Sequence, residues 1–100
     1  MAENTTKVEE KQTKFLKQEE YTHEETGIKY TFQFPGTKRA QEILDLSKQG
    51  GSFSDTTYNE LLMKEVIASP QTDWDYWDEH DGYMEVLDKA DRFLGSLLYR

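Results

Sequence analysis

Residues 72 to 83 read TDWDYWDEHDGY and carry the densest set of reactive side chains in the chain. Asp73, Asp75, Asp78, Glu79 and Asp81 interleave there with Trp74, Tyr76, Trp77 and Tyr83. Carboxylates packed this closely suit a cation loop, an acid and base pair, or an acidic docking surface studded with aromatic anchors. The choice among them separates an enzyme from a binding module.

The calcium option is tested by spacing. A helix–loop–helix calcium loop needs oxygen ligands at its first, third and fifth positions, Gly at the sixth and Glu at the twelfth. Counted from Asp73, the fifth position is Trp77 and the twelfth Met84; counted from Asp78, the third is His80 and the twelfth Lys89. Neither register supplies the ligands. For a transition metal the chain offers His23 and His80, each in a polar segment, and no cysteine. His80 between Asp78 and Asp81 is better read as an exposed histidine in an acidic loop than as a ligand. No carboxylate is marked as desolvated, as a catalytic acid must be. No serine or histidine stands in a nucleophile signature, and no glycine-rich phosphate loop precedes a helix. The expectation is a non-enzymatic chain with no metal and no cofactor.

The aromatics then need their own account. Tryptophan in a small domain is core more often than not. If Thr72 or Asp73 caps a short helix, Trp74 and Trp77 share one face at i and i+3 and pack inward, while Asp75 and Asp78 share another in water. The functional reading leaves part of this aromatic surface open with an acidic rim, as interface anchors are.

The elements that must hold this segment follow from periodicity. Residues 1–12 are polar, with Val8 the one sizeable apolar side chain, and read as a disordered charged tail. Residues 13–100 form one domain. Phe15, Leu16 and Tyr21 mark a first strand, HEETG a turn, and Ile28, Tyr30, Phe32 and Phe34 alternate with polar residues in a second strand. The spacing thus predicts a hairpin over 13–34. Pro35-Gly36 breaks it, and Thr37 caps a helix over 38–47 that Gly50-Gly51 stop. A second helix, capped by Ser54 or Asp55, runs to about Ala68 ahead of Ser69-Pro70. The last helix spans 83–99, with Val86, Leu87, Ala90, Phe93, Leu94, Leu97 and Leu98 on its apolar face. The fold class is α+β: an N-terminal β-hairpin packed on three to four helices.

Totals narrow the partners. The 100 residues carry 20 acids against 12 bases, a net charge of −8, which disfavours nucleic acid. Apolar residues make up 35%, and no apolar run is long enough to span a membrane. The N-terminal stretch MAENTTKVEE lacks the apolar core of a signal peptide, so the cytoplasm is the default location. The strand edge at 28–34 is a candidate for pairing across subunits, making a homo-oligomer an expected property.

Three stretches, YTFQFPGTKRAQEILD, YNELLMKEVIASP and DWDYWDEHDGYMEVLDKADRFL, resemble the tail assembly chaperones of siphovirus-like bacteriophages of Gram-positive hosts. The likeness covers about residues 28–95 and rests on short motifs: a strand ending F-Q-F-P-G, a helix ending V-I-x-S-P, a D-x-D-Y-[WF] segment and a closing helix with A-D-x-F-L. It implies a protein of the host cytoplasm, absent from the mature virion, that coats the tape-measure protein and recruits major tail tube subunits. The family offers no catalytic residues. Exposure arguments place the client surface on Trp74, Tyr76, Trp77 and Tyr83, with Leu97, Leu98 and Tyr99 as a second contact. The rival reading is an acidic phage-encoded inhibitor that mimics DNA charge, since residues 73–91 hold eight acids and one lysine. Those acids alternate with large apolar groups, which favours an amphipathic helix over a phosphate-like ladder.

Overall fold

The computed structural model describes residues 13–100; the charged segment 1–12 lies outside the described residues. Alternation in the second strand does what the pattern requires. Strand β2, Lys29–Gln33, buries Tyr30 and Phe32 and leads on to the buried Phe34, while Lys29, Thr31 and Gln33 turn to the other face. It pairs antiparallel with β1, Gln18–Thr22, with Tyr21 opposite Tyr30 and Gln18 opposite Gln33.

The first strand is shorter than the sequence pattern suggests. Leu16 takes a positive φ of 65°, a conformation costly for a side chain with a Cβ, and the chain turns there instead of extending. Phe15 and Leu16 therefore remain exposed. Lys14 just before them donates to Leu97 O at 2.8 Å, placing a cation where helix carbonyls lack partners.

Helix α1, Thr37–Leu46, buries Ala40 and Ile43. Its N-cap is Gly36, with no side-chain cap, so Thr37 is the first helical residue and not the cap. After it, Lys48–Gln49 (β3) and Ser52–Phe53 (β4) form a miniature hairpin. Gly50 and Gly51 both have positive φ, 56° and 84°, the combination a tight two-residue hairpin turn needs. These glycines are a turn inside a hairpin as well as a helix stop.

Helix α2, Asp55–Glu65, starts at Ser54, whose side chain accepts from the Thr57 N–H. Ser54→Ala is expected to cost about 1 kcal/mol, read as a lower urea midpoint at unchanged slope. The helix ends earlier than its apolar stripe. Ile67–Ser69 leaves it to form β5, which adds antiparallel to β2 with Ile67 opposite Phe32 and Ser69 opposite Thr31. The sheet order is β1-β2-β5. This corrects the expected edge at 28–34: β2 is central and flanked on both sides, so among the described residues the edges of this sheet are β1 and β5.

A short helix α3, Trp74–Glu79, and a long one, α4, Tyr83–Leu98, complete the domain. Helix α4 lays Val86, Leu87, Ala90, Phe93, Leu94 and Leu97 against the sheet and the other helices, with the Phe93 ring 5.9 Å from that of Phe32. Each such side chain, fully buried, contributes roughly 1.5–3 kcal/mol. No helix among the described residues is long and apolar enough to cross a membrane.

One ion pair ties helix to helix. Arg39 on α1 grips both carboxylate oxygens of Glu65 at the end of α2 and also bonds Glu42. The guanidinium holds the Glu65 carboxyl below its ordinary value of 4.5. A depressed folded-state value means the pair stabilises above the unfolded value and fades as pH falls through the folded one. Glu65→Gln should therefore lower the thermal midpoint near neutral pH, and the gap from the unaltered protein should close in acid below about pH 4. Thermal scans from pH 7 to 3 check this.

Candidate functional site

The acidic-aromatic segment forms a helix because Asp73 caps it, its carboxylate accepting the Tyr76 N–H at 2.7 Å. One of the five acids thereby separates in role from the rest. Asp73 is a structural cap, whereas Asp75, Asp78, Glu79 and Asp81 stand exposed. Glu85, in the first turn of α4, takes a buried partner described below.

The two tryptophans do not share a fate. Trp77 is 9% exposed and lies in an aromatic nest: stacked on Tyr30 at 5.8 Å, edge-on to Tyr76 at 4.7 Å and to Tyr83 at 5.8 Å. The Tyr30 and Tyr76 hydroxyls bond each other at 2.7 Å. Burial first, and that hydroxyl second, push the Tyr30 phenol well above its ordinary value of 10, so it stays protonated and serves as a fixed polar pin. Trp77 is thus core. Trp74 was expected inward beside it but sits at the rim, 38% exposed. It belongs to the first turn of α3, where α2 passes close enough for Glu60 to accept its Nε1–H at 2.7 Å. Its ring flanks Tyr83 at 5.7 Å, and the Tyr83 hydroxyl accepts from Asn59.

The proposed second contact also divides. Leu97 is buried, Leu98 half-buried, and Tyr99 stands 94% exposed just beyond α4. Leu97 therefore cannot meet a partner in this conformation, because its position on the α4 face points it into the core. Of the seven candidate residues, the structure brings Trp74, Tyr76, Trp77 and Tyr83 together and leaves Leu97, Leu98 and Tyr99 at the far end of α4.

Histidine chemistry is taken up by packing. His80 stacks on Tyr76 with ring centroids 3.9 Å apart, and its Nδ1 donates to the Tyr76 carbonyl. His23, read from sequence as part of a polar turn, is 2% exposed. Its Nε2 donates to the Glu85 carboxylate and its Nδ1 is paired with the Thr26 hydroxyl. The HEETG stretch signals the turn and its local Thr26 partner, but nothing in it signals a partner 62 residues away. Among the described residues, no group of three His, Cys, Asp or Glu side chains converges as a metal site would require.

Beside Trp74 lies a groove of about 500 Å³ between α2 and the β5–α3 connection. Met63, Ile67 and Ala68 give it an apolar floor, and Trp74 and Glu60 form one wall. Fold and site together define a small α+β domain with an aromatic-walled, acid-fringed groove. Comparisons with protein-family models, with curated proteins and with solved structures returned no match.

Proposed function

We propose that this chain is a tail assembly chaperone of siphovirus-like phages: a non-enzymatic binder that shields the tape-measure protein and recruits tail tube subunits in the host cytoplasm. The observation that carries the reading is Trp74. A large aromatic ring is left partly open at the mouth of an apolar groove, with its one polar atom already satisfied by Glu60. A side chain so placed offers apolar area to a partner without a desolvation penalty at its N–H. The motif residues behind the resemblance occupy coherent elements as well: F-Q-F-P-G closes β2, V-I-x-S-P spans β5, and D-x-D-Y-W makes α3.

The test is co-expression with the gene product encoded next door, scoring how much of an otherwise insoluble tape-measure protein stays in the supernatant. A large increase is expected, and the complex should survive about 0.5 M salt because apolar contact is weakly screened. Binding that instead collapses as salt rises identifies the charge-mimicking inhibitor. A client equally insoluble with and without this chain defeats the chaperone reading.

A further inference from the structure

Two features of the groove go beyond exposure. Strand β5, which contributes Ile67 and Ala68 to its lining, has a neighbouring strand on one side only among the described residues, and a free strand edge accepts an extended chain through backbone hydrogen bonds. The wall is electrostatically one-sided. Glu65 is neutralised by Arg39, but Glu60 and Asp73, with Asp75 and Asp78 beyond, form no ion pair with any described residue; Lys64 is the one cation in the lining.

We propose that this groove receives an extended partner segment in which an apolar side chain neighbours a lysine or arginine. The backbone would run along β5. The apolar side chain would fill the floor over Met63 and Ile67. The cation would lie over the open face of Trp74, whose ring is fixed by Glu60, within the field of Asp73 and Asp78. Apolar floor, free strand edge and acids unpaired among the described residues together select this occupant over a purely apolar one. The inference deepens the chaperone reading by naming the client chemistry, and rests on that reading only for the identity of the client.

The experiment has two arms. In the first, the full chain labelled with 15N is titrated with the capped peptide Gly-Ser-Leu-Lys-Leu-Lys-Ser-Gly. Chemical-shift changes are expected at the Trp74 indole N–H and at the amides of Lys64, Ala68 and Thr72. Replacing both peptide lysines by glutamate should weaken binding at least about fivefold. So should Ala68→Arg, which puts a cation at an exposed strand position without touching the core, and Trp74→Leu. Shifts elsewhere, indifference to the peptide's charge, or no response at about 1 mM peptide overturn the assignment. So do groove shifts that depend on protein concentration alone, which would give the site to a second copy. In the second arm the same two variants are co-expressed with the neighbouring tape-measure protein. If the unaltered chain does not keep it soluble, the chaperone reading fails while the titration still decides the groove. If the unaltered chain and both variants hold it equally well, the groove is not the client site.

Discussion

Trp77→Ala is expected to remove about 3–5 kcal/mol of stability, the usual cost of emptying a buried tryptophan site. Domains of this size hold roughly 5–15 kcal/mol in all, so the variant should be largely unfolded at modest urea. The loss has three sources: the stack on Tyr30, the edge contacts with Tyr76 and Tyr83, and the Tyr30–Tyr76 hydroxyl pair that these rings enclose. Trp77→Phe should cost much less than its lost volume suggests. The buried Nε1–H of Trp77 has no hydrogen-bond partner among the described residues, and phenylalanine removes that unsatisfied donor along with the atoms around it. Urea unfolding followed by far-ultraviolet circular dichroism measures both. A folded Trp77→Ala domain of near-normal midpoint that has lost only partner binding would return Trp77 to the surface and undo the division between the two tryptophans.

That division shows where sequence reasoning reached its limit. Strand β2 and helices α1 and α4 were legible because one apolar face at a period of 2 or 3.6 suffices to specify each, and Tyr30, Ile43 and Phe93 are buried accordingly. The Asp73 cap was legible for a local reason too: its carboxylate bonds an N–H three residues on. Strand β5 was not. Val66 and Ile67 continue the helical stripe of α2, and only pairing with β2, over thirty residues earlier, draws 67–69 out of the helix. The position of Trp74 was hidden for the same kind of reason. Spacing puts it on the face of Trp77, but the reach of Glu60 from another helix decides that it stays at the rim. Polar residues were the least legible. His23 is buried among charged neighbours in sequence, and the carboxylate that makes this tolerable comes from α4.

The same histidine sets the second large expectation. Gly82 precedes α4 with φ of +103°, and a Cβ built there would lie 2.9 Å from His23 Nε2 and 3.0 Å from two ring carbons. Gly82→Ala therefore meets two costs. The backbone conformation is strained for any residue with a Cβ, worth about 1–3 kcal/mol. The imidazole must also move, although it is buried and held between Thr26 and Glu85, which weakens a charge-assisted bond worth roughly 1.5–3 kcal/mol. A loss of about 2–4 kcal/mol is the expected result, since the shift need not break the bond fully. A double-mutant cycle separates the parts. In a His23→Ala background the steric cost disappears and only the backbone strain remains, so Gly82→Ala should be clearly milder there. Equal penalties in the two backgrounds would mean that the ring does not close against Gly82, and that the link from the β1–β2 turn to the start of α4 runs through other contacts.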